Sequence, residues 1–105
     1  MKFRSSFTAG PSEIDGKGCF TSIDLEAGMC FPVPYHHIEE NEADKHTLWM
    51  EEEGPLEIYG PFKFLNHQDD PNAEFEWHED YGLMLRIIKY LEGGDEITIH
   101  YGDEW

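Results

Sequence analysis

The chain of 105 residues is long enough for one domain with a single hydrophobic core. It carries 23 acidic residues against 7 lysines and arginines, and the formal net charge of −16 at pH 7 argues against direct binding to nucleic acid or anionic membranes. No apolar run reaches the roughly 18 residues of a membrane helix, and residues 1–10 lack the apolar stretch of a secretory signal, so we predict an intracellular protein.

The acidic surface and the cysteines each allow two interpretations. A negative field of this size attracts basic partners, while the same acids also keep a protein soluble or adapt it to a salty environment. Cys19 and Cys30 lie in apolar stretches without a CxxC spacing. We interpret them as buried free thiols in a reducing compartment, with a single disulfide as the alternative.

Short strands are the predicted secondary structure, because glycine and proline interrupt the sequence about every ten residues. The one helix-like segment is residues 39–53, where seven acids surround Leu48, Trp49 and Met50. This segment predicts a short helix or an acidic loop, whose acids form either a solvated face or a docking surface for a basic peptide. In chain order, the predicted strands are residues 2–8, 18–22, 29–33, 56–59, 73–77, 83–88 and 96–101.

The last predicted strand places one tyrosine in an informative position. A period of two puts Ile97, Ile99 and Tyr101 on one face of the strand. Tyr101 thus ends an apolar row, with its ring packed and its hydroxyl in need of a partner or a cavity. By itself this pattern favours a core tyrosine.

Three motifs in a fixed order change that interpretation. Residues 16–21 (GKGCFT) form a Gly-x-Gly-aromatic turn, residues 64–72 (FLNHQDDPN) combine Asn-His with Pro-Asn, and residues 91–102 (LEGGDEITIHYG) lead from a Gly-Asp-Glu turn into a strand ending in Tyr-Gly. In this order the motifs resemble the SET-domain family of protein lysine methyltransferases, most closely its minimal viral-type members. The resemblance implies a mainly β (α+β) fold, a SET-domain β-clip of several short sheets with a C-terminal pseudoknot and little helix.

The resemblance also implies one SET-like domain over residues 1–105, without pre-SET or post-SET modules, and S-adenosyl-L-methionine as cofactor. The glycine-rich turn would approach the cofactor through its backbone, because glycine lets the chain come close. Asn-His would hold the amino-acid and adenine ends of the cofactor, while Pro71 and Asn72 would fix the loop of the pseudoknot. The implied cofactor-binding residues are Gly16, Lys17, Gly18, Asn66, His67 and Trp105. For Trp105, stacking on adenine, capping of the channel and fraying all remain open.

The implied activity is methyl transfer to a neutral lysine amine of a basic protein, such as a histone-like tail. Tyr101 matches the catalytic tyrosine of the family, and Ile99 takes the position that helps set the number of methyl groups. Tyr35 either lines the substrate channel or packs as a surface aromatic. A second subunit could complete the site, which predicts a homodimer in the cytoplasm, or in the host nucleus for a viral protein. The alternative is a catalytically inactive SET-like module that binds a basic partner.

Two features test the limits of the resemblance. Residues 68–70 (QDD) replace the family's Ser-Cys-x, so no zinc-linked packing is expected there. A metal site made from His36, His37 and His46 is the remaining possibility, but adjacent histidines on an extended strand point to opposite faces. His67 and His78 have no companion at a metal-ligand spacing. We therefore predict no metal site.

Overall fold

The computed structural model describes residues 6–102, a part of the chain built from short strands and two short 3-10 helices, Glu40–Glu42 and Pro61–Phe64. None of its helices is long and apolar enough to cross a membrane. The predicted mainly β fold with little helix is confirmed. The strands are β1 (Phe7–Pro11), β2 (Lys17–Thr21), β3 (Cys30–Pro32), β4 (Tyr35–His37), β5 (Leu48–Met50), β6 (Gly54–Ile58), β7 (Asn66–His67), β8 (Ala73–His78), β9 (Gly82–Ile87) and β10 (Glu96–Ile99).

Three small sheets share one core. One sheet has four strands in the order β1-β2-β10-β7, and the other two have the orders β3-β9-β8 and β4-β6-β5. In β9, Leu83, Leu85 and Ile87 are buried while the residues between them are half-exposed, as expected for a strand with one face on a core. Leu56 and Ile97 bring the other two sheets into the same apolar cluster.

The C-terminal strand β10 lies between β2, to which it is antiparallel, and β7, to which it is parallel. The segment that follows β7 bonds to both ends of β10. The backbone N–H of Gln68 donates to the Ile99 carbonyl at 2.9 Å. The Asn72 amide donates to the Glu96 carbonyl at 3.0 Å and accepts from the Thr98 N–H at 2.9 Å. This is the arrangement expected of the predicted pseudoknot.

Because the Asn72 side chain takes the place of a neighbouring strand, Asn72→Ala should strongly destabilise the protein. It would leave the Glu96 carbonyl and the Thr98 N–H unpaired, and Thr98 is buried. We expect the free energy of unfolding to fall by about 2–4 kcal/mol, measured by urea denaturation. The control is Asn41→Ala, which truncates an exposed asparagine in a 3-10 helix. Equal losses in the two variants would contradict this role for Asn72.

Several sequence predictions of structure were wrong in detail. In the segment 39–53 the expected short helix is the 3-10 helix Glu40–Glu42, but Leu48, Trp49 and Met50 form the unpredicted strand β5, because they pair with β6. Strands β4, β5 and β7 are two or three residues long, too short for an alternating pattern, and were not predicted. Cys19 is buried as expected, and burial raises the pKa of its thiol to about 12. Cys30, however, is exposed on β3, and both thiols are free.

Candidate active site

Asn66 is the polar centre of the first part of the site. It is 7% exposed and lies in β7, opposite Thr98 of β10. Its amide nitrogen lies within hydrogen-bond distance of four oxygens: Glu96 Oε2 at 2.8 Å, Ser12 Oγ at 3.0 Å, and the carbonyls of Asp15 and Lys17, each at 3.1 Å. Four acceptors around one NH2 group determine how the amide is oriented, and they turn its oxygen away from the cluster.

The two glycines of the turn at residues 16–18 serve different purposes. Gly16 has φ of +42°, a left-handed value, and a side chain added there would meet no atom within 4 Å. A Cβ at Gly18 would instead overlap the carboxylate of Glu96 and lie 2.8 Å from its carboxyl carbon. The sequence explanation for Gly18, close approach of backbone to cofactor, is therefore incomplete, because the missing side chain makes room for Glu96.

His67 connects the Asn-His motif to the end of the last strand. Its side chain is only 10% exposed, and its Nδ1 accepts a hydrogen bond from the backbone N–H of Tyr101 at 2.9 Å. The two rings lie 5.3 Å apart between centroids. Two motifs separated by more than thirty residues in the sequence thus meet directly, because β7 and β10 are paired in parallel.

Tyr101 lines a cavity, and its hydroxyl bonds the backbone of Leu65, the residue before Asn66. The hydroxyl donates to the Leu65 carbonyl at 2.7 Å. Burial and, to a smaller degree, the negative charges of Asp15 and Glu96 raise the pKa of Tyr101 above its ordinary value. The side chain therefore stays a neutral phenol at physiological pH.

The cavity beside Tyr101 has a volume of about 580 Å³. Ile99, which is 8% exposed, lies in its wall, together with Leu48, Phe62 and Phe75. The wall is thus mainly apolar and aromatic, although Asp44, Lys45, Lys63 and Glu74 also line the cavity. A cavity of this kind desolvates an amine that enters it.

Of the other predicted site residues, Tyr35 lies elsewhere and Trp105 lies outside the described residues. Tyr35 pairs with Ile58 in the β4–β6 ladder and packs edge-on against Trp77 at 5.5 Å. A Cβ added at Gly82 would fall 2.8 Å from its hydroxyl oxygen. Tyr35 is not among the residues that line the cavity with Ile99 and Tyr101, so the structure favours the packed-aromatic interpretation of this residue.

His67 does have companions, which the spacing of histidines in the sequence did not reveal. His67, Asp69 and His100 bring ligand-type atoms within 4.8 Å of one another. However, His67 Nδ1 accepts from the Tyr101 N–H and His100 Nδ1 accepts from the Gly102 N–H, each at 2.9 Å. In the neutral rings the proton is then on Nε2, and His67 Nε2 donates to Asp69 Oδ1 at 2.9 Å. A histidine that binds metal normally donates its second N–H, so this group fits a hydrogen-bond network better than a metal site.

The departure from the family pattern at residues 68–70 is accommodated by local contacts. Gln68 is exposed and contributes its backbone N–H to the ladder with Ile99, while Asp69 bonds to His67. Asp70 forms an ion pair with Lys89. None of these contacts requires a cysteine or a metal.

Sequence reasoning missed Ser12 and Glu96. Ser12 precedes the glycine motif, and Glu96 opens β10 as a half-buried acid. The available signal was weak: Glu96 begins an otherwise apolar strand, where a charged side chain needs a partner. The identity of that partner depends on tertiary contacts 84 residues apart in sequence.

The similarity to known proteins covers the part of the chain that contains the three motifs. A family model described as SET domain matches residues 16–102, most of the chain. A SET and MYND domain-containing protein of Dictyostelium discoideum is 33% identical over 66 residues, covering 63% of this chain and 19% of that protein. The histone-lysine N-methyltransferase Suv4-20 of Caenorhabditis elegans is 31% identical over 84 residues, covering 80% and 24%. The chain thus spans about a fifth to a quarter of the length of these relatives.

Solved structures show the same fold. A candidate histone methyltransferase of Plasmodium falciparum matches with a TM-score of 0.75 at 21% identity, covering 98% of both chains. The Chaetomium thermophilum polycomb repressive complex 2, in an autoinhibited conformation bound to S-adenosylmethionine, contains a chain that matches with a TM-score of 0.69 at 23% identity. That match covers 95% of this chain and 15% of the other.

Proposed function

The chain belongs to the SET-domain family, and we propose that it is an S-adenosylmethionine-dependent protein lysine N-methyltransferase that acts on a basic protein. The observation that carries the proposal is the meeting of three motifs around Tyr101. His67 of the Asn-His motif bonds the backbone of Tyr101, and Asn66 bonds the carbonyls of the glycine turn. Tyr101 lines a cavity with a mainly apolar wall, and its hydroxyl donates to the Leu65 carbonyl. A packed core tyrosine would not need this arrangement.

The residues present fit S-adenosylmethionine as cofactor. Gly16 borders open space, so the turn can receive a ligand against its backbone. The Asn66 amide oxygen is turned away from its four intramolecular acceptors and can accept from an ammonium group. Gly16, Lys17, Gly18, Asn66 and His67 would hold the cofactor. When bound, this cofactor supplies an electrophilic methyl group on a sulfonium.

The protein's own task is to deliver a neutral lysine amine. A lysine in water has a pKa near 10.4, so almost none of it is neutral at pH 7. The apolar wall of the cavity lowers the pKa of an amine that enters it, because burial disfavours the charged form. Since the Tyr101 hydroxyl donates to Leu65, its oxygen can accept an N–H from the amine and orient it.

The substrate proposed is a lysine-containing basic protein or peptide. The local lining of the cavity is mixed in charge, with Asp44 and Glu74 beside Lys45 and Lys63. The attraction for a basic substrate therefore comes from the net charge of −16 rather than from one acidic pocket. Ile99 is aliphatic and leaves space beside Tyr101, so we propose that more than one methyl group can be added.

Cofactor binding is the test of this function. We expect millimolar S-adenosylmethionine or S-adenosylhomocysteine to raise Tm by roughly 10 °C, since ligand at 100 times Kd stabilises by about 2.7 kcal/mol. Incubation with labelled cofactor, histones and ribosomal proteins should then label a lysine that mass spectrometry can map. Absence of any shift would exclude the enzyme and favour a binding module for a basic partner. A shift without transfer to any lysine would also favour the module.

The finer assignments are proposals of the same kind. We propose a single SET-like domain, an intracellular location and a homodimer in which a second subunit completes the lysine channel. Sedimentation equilibrium with and without cofactor tests whether the protein is a homodimer. A monomer at all concentrations that support activity would contradict it.

A further inference from the structure

Glu96 is a charged side chain without a role in the function proposed so far. It opens β10, the central strand of the pseudoknot, and pairs with Phe20 of β2. The residue is half-buried, and its carboxylate turns toward the segment that contains the glycine motif. A partly buried carboxylate at the start of an apolar strand needs hydrogen-bond donors. Two residues donate to Glu96, and a third makes room for it.

Ser12 supplies the first of these contacts. Its hydroxyl lies 2.7 Å from Glu96 Oε1 and 2.9 Å from Glu96 Oε2, and it donates to this carboxylate. The same hydroxyl oxygen accepts the backbone N–H of Ile14 at 2.9 Å. Glu96 thereby fastens the start of the glycine-containing turn to the C-terminal strand.

Asn66 supplies the second contact. Its amide nitrogen donates to Glu96 Oε2 at 2.8 Å, the shortest of its four distances to acceptor oxygens. A carboxylate can only accept, so an amide flipped by 180° would place its oxygen against Glu96 and two backbone carbonyls. Glu96 is thus one of three pure acceptors, with the Asp15 and Lys17 carbonyls, that favour the observed orientation of the Asn66 amide.

Gly18 makes room for the Glu96 carboxylate because it has no side chain. A Cβ at this position would lie 2.8 Å from the Glu96 carboxyl carbon and 3.0 Å from Ser12 Cβ. Any larger residue would push the carboxylate away from its two donors. The second glycine of the motif and the acid in β10 thus form one packing unit.

We propose that Glu96 is a positioning residue for cofactor binding, which together with Ser12 holds the Asn66 amide so that its oxygen faces the amino-acid end of the cofactor. The inference rests on the proposed function, since it concerns the same cofactor. It assigns to Glu96 a selective effect: ligands that carry the amino-acid group depend on Glu96, and ligands that lack it do not.

The test is isothermal titration calorimetry with three ligands. Glu96→Ala should weaken S-adenosylmethionine and S-adenosylhomocysteine by at least about tenfold, the cost of a lost hydrogen bond to a charged group. It should leave 5′-methylthioadenosine, which lacks the amino-acid group, unchanged relative to wild type. The control is Glu92→Ala, an exposed acid in the turn before β10, which should change none of the three affinities. Equal weakening of all three ligands would show a merely structural role and overturn the inference.

A double-mutant cycle between Gly18 and Glu96 provides an independent readout. If Gly18→Ala acts by displacing the carboxylate, it should weaken S-adenosylhomocysteine in the wild-type background but add little in Glu96→Ala. If Gly18→Ala instead blocks the cofactor directly, the two losses should add, which would overturn the packing unit. If Glu96→Ala does not fold, the same three ligands are titrated into Ser12→Ala, which leaves the sequence of β10 unchanged. The same selective loss of affinity is expected. Absence of binding by the wild-type protein would refute the proposed function itself.

Discussion

Tyr101→Phe is expected to reduce methyl transfer by roughly a hundredfold to a thousandfold, comparable to removal of one positioned polar group from an active site. The ring still fills its place beside His67, while the oxygen that would accept the amine N–H is lost. Affinity for S-adenosylhomocysteine should stay near the wild-type value, because the backbone N–H of Tyr101 still bonds His67. Single-turnover rates and calorimetry measure the two quantities separately.

The Tyr101 experiment has a matched control on the same chain. Tyr81 is 75% exposed, so Tyr81→Phe removes a hydroxyl without touching the cavity. It should keep the wild-type rate.

The free energy of unfolding of Tyr101→Phe should fall by only about 0.5–1.5 kcal/mol, because the variant loses one hydrogen bond, that to the Leu65 carbonyl. A wild-type rate in Tyr101→Phe would refute its assignment as the catalytic tyrosine.

Asn66→Ala is expected to damage both stability and cofactor binding. Truncation leaves the Glu96 carboxylate and two backbone carbonyls without their amide donor in a part-buried cluster. We expect a loss of about 1–3 kcal/mol in the free energy of unfolding and a weakening of S-adenosylhomocysteine by more than about tenfold. Urea denaturation and calorimetry on the same preparations measure both.

Gln68→Ala is the control for the Asn66 experiment. Gln68 lies two residues along the chain with an exposed side chain, and only its backbone takes part in the ladder with β10. Gln68→Ala should therefore leave both stability and cofactor affinity unchanged. If Asn66→Ala bound the cofactor as tightly as Gln68→Ala does, the Asn-His motif would have no role in holding it.

Glu96 makes clear why part of the site was not predictable. Its donors, Ser12 and Asn66, lie 84 and 30 residues away in the sequence. No local periodicity reports a contact between such distant residues, since it depends on the register in which β10 meets β2 and β7. The same reason applies to the group formed by His67, Asp69 and His100, which histidine spacing alone did not reveal.

The sequence by itself determined the fold class and the family, because glycine turns, alternating strands and three ordered motifs are local patterns. It also singled out Ile99 and Tyr101, which line one cavity, but β10 ends at Ile99, so Tyr101 lies beyond the strand and is 45% exposed instead of packed at its end. Only the tertiary structure decided which polar groups meet beside the glycine turn of residues 16–18, and that Tyr35 packs against Trp77. Strands of two or three residues such as β7 have no pattern of their own, so they form only where a partner strand supplies the hydrogen bonds.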